Sequence, residues 1–114
     1  MTSNISISKA AGTWVVRAGG AVLGESDAVL ELTEGSYAPV LYFPRGDLAM
    51  AFLEASTHET TCPHKGKASY YSIVTKSTTL ENVAWSYEDP IEAVKEIDGY
   101  IAFYPSDKVT VEQL

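Results

Sequence analysis

Short stretches in which apolar and polar side chains alternate dominate the chain, a period typical of strands with one buried face. The pattern is clear over residues 28–33, where an apolar residue occupies every second position. Residues 13–18 and 21–23 are separated by Gly19-Gly20, a spacing that predicts a hairpin. Five further strands are predicted over residues 40–43, 70–75, 83–88, 100–104 and 109–111.

Two short helices are predicted between the strands. Asp47 precedes residues 48–54, where apolar side chains recur at spacings of three and four, so a carboxylate cap would begin a helix there. Asp89-Pro90 is a similar start for a second helix over residues 91–97, and Gly99 would end it. Because strands outnumber helices, the pattern predicts a mainly β fold with a curled or barrel-like antiparallel sheet and two short helices.

Length and charge restrict the size and the partners of this fold. The chain has 114 residues, of which 46% are hydrophobic and 20% charged, and this composition predicts one small domain over residues 1–114. Its formal net charge of -7 repels phosphate backbones, so we expect no nucleic-acid partner. No apolar run approaches the roughly 20 residues that a membrane-spanning helix needs, and no export signal is visible. We therefore expect no membrane partner.

The cysteine and histidine content bears on compartment and metal chemistry. Cys62 is the single cysteine, so no intrachain disulfide can form and a cytoplasmic location is expected. With His58 and His64 it makes only three soft or borderline ligands, without the spacing of a zinc site. We expect no metal and no cofactor. The sequence does not fix the oligomeric state, and a homodimer is compatible with it.

Several segments resemble a known family, in order along the chain. They are Tyr42-Phe43-Pro44 with Asp47, Thr61-Cys62-Pro63-His64-Lys65-Gly66 with Ala68 and Tyr70, Ala84-Trp85 with Tyr87 and Pro90, and Gly99-Tyr100 with Ala102-Phe103-Tyr104. Together they resemble the family called domain of unknown function 427, over residues from about 14 to 111. The resemblance implies a small β protein with a tent-like sheet folded over on itself, and it implies no established activity.

The family has also carried a nucleotidyltransferase-like label, which the residues can test. Nucleotidyl transfer normally uses two metal ions held by paired carboxylates near a glycine-serine turn. This sequence contains no Asp-x-Asp pair, and no phosphate-loop lysine follows Gly19-Gly20. We therefore do not carry the label over to this chain.

Three residues are candidates for catalysis. Lys65 and a protonated His64 lie close to Cys62 in sequence and would favour its thiolate form, making it a nucleophile. Asp47 and Lys65 are an alternative acid and base. The competing interpretation is structural, with Cys62 packed as a small apolar residue beside a turn made by Pro63 and Gly66.

Five residues in the family-like segments are candidates for ligand binding: Asp47, Lys65, Tyr70, Trp85 and Tyr87. If the fold brings them together, they form a small cleft with an aromatic wall and a few polar groups. The structural alternative assigns the aromatics to the core, Asp47 to a helix cap and Lys65 to a surface ion pair.

The leading hypothesis is therefore that the chain binds a small polar or anionic molecule in this cleft. One alternative is an enzyme that uses Cys62 or the pair Asp47 and Lys65. Another is a protein interaction module, because a chain with seven tyrosines could expose several aromatic side chains.

Overall fold

A computed structural model describes residues 4–114 of the chain, with 56% of it in strands and 11% in helices. Over this range the strands are β1 (Ile5–Lys9), β2 (Trp14–Ala18), β3 (Ala21–Ser26), β4 (Leu30–Glu34), β5 (Val40–Tyr42), β6 (Leu53–Cys62), β7 (Gly66–Val74), β8 (Thr79–Tyr87), β9 (Ala102–Phe103) and β10 (Val109–Gln113). Three 3₁₀ helices cover Arg45–Asp47, Met50–Phe52 and Glu92–Ile97. The mainly β prediction is confirmed.

The strands form three antiparallel sheets, and none of the three closes on itself. Their orders are β1-β4-β5, β10-β2-β3 and β6-β7-β8-β9, so the predicted hairpin of β2 and β3 is present. Phe43 and Ile101 exchange backbone hydrogen bonds of 2.8 and 2.9 Å, which join the end of β5 to the segment before β9. This bridge connects the first sheet to the third, and the predicted antiparallel pairing is present in all three sheets, whereas a closed barrel does not form.

Two groups of buried side chains fill the space between the sheets. One includes Val16, Phe43 and Ile73, and the other includes Leu32 and Ile97. Neighbouring residues contribute to different groups, since successive side chains of a strand point to opposite faces. The second group packs beneath the candidate site described below.

Of the helix predicted over residues 48–54, only the three-residue 3₁₀ helix Met50–Phe52 is present, so the prediction of a helix across the whole segment is wrong. Asp47 ends a 3₁₀ helix rather than capping an α-helix, and β6 already begins at Leu53. The start of this segment pairs with β3 instead. Ala49 N–H donates to the Leu23 carbonyl at 2.7 Å, and Leu48 forms a β-bridge with Gly24. β6 was missed because its side chains are mostly exposed and polar, so they carry little apolar alternation.

The second predicted helix exists, but in a different form. It is a 3₁₀ segment that begins after Ile91 without a side-chain cap and is kinked at Val94, whose backbone angles are not helical. Asp89 does not cap it, because its carboxylate lies 3.6 Å from the Lys95 ammonium instead. Gly99 follows the helix with a φ of +78°, the conformation expected at its end. Nowhere in residues 4–114 is there a helix with the length and apolar character needed to cross a membrane.

Candidate functional site

A cavity of about 160 Å³ opens between the β4–β5 strands and the β7–β8 strands. We call it the aromatic pocket, because six of its lining side chains are aromatic: Tyr37, Tyr42, Tyr70, Trp85, Tyr87 and Tyr104. Lys65 and Glu34 form its charged end. The pocket therefore combines flat apolar surfaces with a few polar groups, the usual composition of a small-molecule site.

The strand register explains why the aromatic side chains meet. Tyr70 of β7 lies opposite Trp85 of β8, and Ala68 lies opposite Tyr87. Trp85 and Tyr87 are two residues apart and share a face, as the alternation of a strand requires. Ala68 leaves space beside them because its side chain is small. Four of the residues singled out from the sequence, Lys65 among them, thus line one cavity.

The aromatic side chains are held by one another and by hydrogen bonds. The Trp85 and Tyr104 rings lie 4.3 Å apart between centroids, and Tyr42 meets Trp85 edge to face at 6.4 Å. The Tyr70 hydroxyl lies 3.0 Å from Thr60 Oγ1 and 3.3 Å from the Tyr104 hydroxyl. This network fixes the positions of the side chains that form the wall of the pocket.

Lys65 reaches the pocket from the turn between β6 and β7. Its backbone N–H donates to the Cys62 carbonyl at 3.2 Å, and Gly66 continues the chain at a φ of +113° that favours glycine. The Lys65 ammonium donates to Glu34 Oε1 at 2.7 Å and lies 3.6 Å from Cys62 Sγ. The two charged side chains are only 12% and 23% exposed, so this ion pair is shielded from solvent.

The protonation states in the pocket follow from burial and hydrogen bonding. Burial alone would lower the pKa of Lys65, but the hydrogen bond to Glu34 and the nearby Cys62 outweigh it and raise that pKa. Burial raises the pKa of Tyr42 to about 12. It likewise raises that of Tyr104 to about 12, with help from Tyr70, and also raises the pKa of Tyr87. Near pH 7 the pocket therefore offers neutral phenols and a cation that is already paired.

Asp47 does not belong to the aromatic pocket, so the expectation that it shares a cleft with Lys65 is wrong. Its carboxylate accepts a hydrogen bond of 2.6 Å from Ser26 Oγ and lines a separate depression with Glu25 and Asp27. The cause is the bridge between Leu48 and Gly24, which directs the neighbouring residue toward β3. The acid–base pairing of Asp47 with Lys65 has no geometric support.

Several pocket residues were not singled out from the sequence. Tyr42 and Tyr104 were part of the family-like segments, so that signal could have found them. Glu34 had no such signal, because it sits at a turn 31 positions before its partner Lys65. Only the antiparallel arrangement of distant strands brings this carboxylate to the ammonium.

A second polar cluster lies on the opposite face of β7 and β8. The Arg45 guanidinium donates to the Gly99 carbonyl, the Tyr71 hydroxyl, Ser86 Oγ and the Glu88 carboxylate. Tyr71 also donates to Glu88 at 2.6 Å, and this bond lowers the pKa of Glu88 against the opposing effect of burial, with Arg45 adding to the decrease. The cluster links the 3₁₀ helix Arg45–Asp47 to strands β7 and β8, which carry the pocket.

Metal ligands are sparse in the part of the chain that the structure describes. Across residues 4–114, no group of three or more His, Cys, Asp or Glu side chains is placed to hold a metal ion. Cys62 is a free, half-buried cysteine, and its Sγ lies 3.6 Å from the Lys65 ammonium.

Comparison with known proteins agrees with the resemblance of the motifs. No curated protein matches the chain. The family described as domain of unknown function 427 matches residues 6–113, which includes every segment quoted above and all strands from β2 to β10. Because this match spans almost the whole sequence, the chain belongs to the domain of unknown function 427 family.

Proposed function

We propose that this chain binds a small polar molecule in the aromatic pocket. The observation that carries the proposal is the convergence of Lys65, Tyr70, Trp85 and Tyr87, from a turn and two strands, on one cavity. The shielded ion pair beside the aromatic side chains contributes little net stability, because the cost of removing both charges from water offsets their attraction, and this favours a role in recognition. We place this function in a reducing compartment such as the cytoplasm, where Cys62 would stay a thiol.

The charge balance of the pocket favours a neutral or zwitterionic ligand over an anion. The Lys65 ammonium is paired with Glu34 at 2.7 Å, so an anion would have to displace a carboxylate that is already bound. A neutral molecule with a donor and an acceptor side by side can hydrogen-bond to both members of the pair without separating them. Its flat or apolar side would lie against Trp85.

A panel of polar metabolites, measured by thermal unfolding, tests the proposal. It should contain monosaccharides, nucleosides, amino acids, carboxylates and phosphate. A ligand at 100 times its Kd stabilises the native state by about 2.7 kcal/mol, which for a domain of this size raises Tm by roughly 10 °C or more. We expect such a shift from a neutral or zwitterionic compound and its loss in Trp85→Leu.

The matched control is Phe52→Leu, which changes an aromatic side chain that is 40% exposed and lies outside the pocket. It should keep the full ligand-induced shift. The proposal fails if no compound raises Tm, or if a shift survives in both Trp85→Leu and Lys65→Met. A shift that is confined to anions and disappears with added salt would identify an anionic ligand instead.

The contact between Lys65 and Cys62 supports a second candidate, an enzyme with Cys62 as nucleophile. The Lys65 ammonium lies 3.6 Å from Cys62 Sγ, and a thiolate is the form in which a cysteine acts as a nucleophile. Glu34 holds the ammonium in place at the edge of the pocket.

Alkylation by iodoacetamide at pH 7 distinguishes the two candidates. If Cys62 is activated, Lys65→Met should slow the reaction severalfold, because the thiolate loses its neighbouring positive charge. Lys67→Met is the control, since Lys67 points to Glu59 at 3.5 Å and is 62% exposed. Equal rates in all three proteins, or an unreactive native thiol, would rule out the nucleophile.

A further inference from the structure

An apolar groove adjoins the aromatic pocket on the other side of Trp85 and Tyr104. It has a volume of about 400 Å³ and runs between the loop before β5, the end of β9 and strand β10. We define the apolar groove by its own lining residues, Pro39, Leu41, Phe103, Pro105 and Val111. None of the lining side chains that the structure describes carries a charge.

The groove and the pocket are adjacent cavities that share part of their lining. Both are lined by the same four residues, Ala38, Val40, Trp85 and Tyr104. A molecule seated against Trp85 in the pocket is therefore next to the residues that line the groove. At its far end the pocket has the Lys65–Glu34 ion pair, and at its far end the groove has only apolar side chains.

We propose that the ligand of this chain is amphipathic, with a polar head at Lys65 and Glu34 and an apolar chain or ring in the groove. This inference rests on the proposed function, because the head occupies the aromatic pocket. Trp85 and Tyr104, whose ring centroids lie 4.3 Å apart, line both cavities, so the junction of the ligand lies against these rings. Covering the groove removes apolar surface from water, which supplies affinity that the small pocket alone cannot.

The test compares short and long members of the same chemical series. The probes are methyl and hexyl β-D-glucoside, acetate and heptanoate, and tetramethylammonium and hexyltrimethylammonium. Each fully buried methylene strengthens binding about fourfold, so we expect the long member of at least one pair to bind tenfold or more tightly. The indole N–H resonance of Trp85 should move on titration, and that of Trp14, which donates to the Ala11 carbonyl, should stay in place.

Two variants test whether the higher affinity of the long compound comes from the groove. Val111→Glu places a carboxylate among its apolar side chains, and Pro105→Trp fills the groove from an exposed loop position that does not line the pocket. Both should reduce the long compound to the affinity of the short one and leave the short one unchanged. Val22→Glu is the matched control, because Val22 is 53% exposed on β3 and lines neither cavity. Circular dichroism of each variant shows that it is folded.

The outcomes separate this inference from the proposed function. If short compounds bind and lose affinity in Trp85→Leu, but the longer chain adds nothing, the inference is overturned and the proposed function stands. If all three long compounds bind equally, and if Lys65→Met and Glu34→Gln do not change their affinity, the polar head has no site. The inference and the proposed function then both fail. Absence of any chain-length gain, or a gain that survives both groove variants, also overturns the inference. So does a homodimer in sedimentation that Val111→Glu dissociates, because a second copy would then cover the groove.

Discussion

Replacing Phe43 with alanine should lower the free energy of unfolding by about 3–5 kcal/mol, the cost of removing a fully buried aromatic ring. Phe43 has no exposed surface and packs edge to face against Phe103, with ring centroids 5.9 Å apart. Its backbone also forms the bridge to Ile101 that joins two sheets. A cavity at this position would weaken the contact between the sheets that carry the two walls of the pocket.

Chemical denaturation followed by tryptophan fluorescence measures the effect of Phe43→Ala. Phe52→Ala is the control, since the same ring is removed from a side chain that is 40% exposed. The control should cost less than about 1 kcal/mol, as expected away from the core. If Phe43→Ala lost no more stability than Phe52→Ala, the prediction would be contradicted, and the bridge region would not be part of the cooperative core. A smaller loss than expected would indicate that neighbouring side chains collapse into the cavity.

Arg45→Ala should destabilise the fold by about 2–3 kcal/mol, because it removes a charged donor from several acceptors at once. The Gly99 carbonyl and the fully buried Ser86 hydroxyl lose their partner, and Glu88 loses its counter-charge. The guanidinium is about one third exposed, so the loss should stay below that of a fully buried ion pair. Urea unfolding at pH 7 provides the measurement.

Arg17→Ala is the matched control for the Arg45 substitution. Arg17 pairs with Glu112 at 3.2 Å, but the two side chains are 41% and 59% exposed, so its removal should cost less than about 1 kcal/mol. Comparable losses in the two variants would contradict a special role for the Arg45 cluster.

The pH dependence gives the Arg45 prediction a second measurement. The hydrogen bond from Tyr71 and the charge of Arg45 lower the folded-state pKa of Glu88, so its stabilising contribution is present above the ordinary glutamate pKa. That contribution is lost as the pH falls through the folded-state value, because the carboxylate becomes protonated. The difference between wild type and Arg45→Ala should therefore shrink in acid. A constant difference down to pH 3 would show that the charge of Glu88 is not involved.

Local sequence patterns predict the correct elements where the strand pairing of the folded chain agrees with them. The hairpin of β2 and β3, the strand β8 and the glycine after the last 3₁₀ helix follow from alternation and from φ preferences that act over a few residues. The pattern failed over residues 48–54, where spacing favoured a helix but backbone pairing with Leu23 and Gly24 prevailed. Local propensity is weak enough for tertiary hydrogen bonds to override it.

The same division applies to the candidate site. Trp85 and Tyr87 share a face because they are two residues apart on a strand, and the sequence alone determines that spacing. Their meeting with Lys65 was a hypothesis from the motifs, and the neighbouring carboxylate of Glu34 had no sequence signal. Asp47 was assigned to the same cleft and lies elsewhere, hydrogen-bonded to Ser26.

The sequence by itself determined the mainly β class, the small size of the domain, the family, and the face of each strand on which a side chain lies. Only the tertiary structure decided that Lys65 is paired with Glu34, that Asp47 lines another cavity, and that an apolar groove lies beside the pocket. The physical reason is range: side-chain alternation is a property of adjacent residues, whereas these contacts depend on the register and curl of strands far apart in the chain.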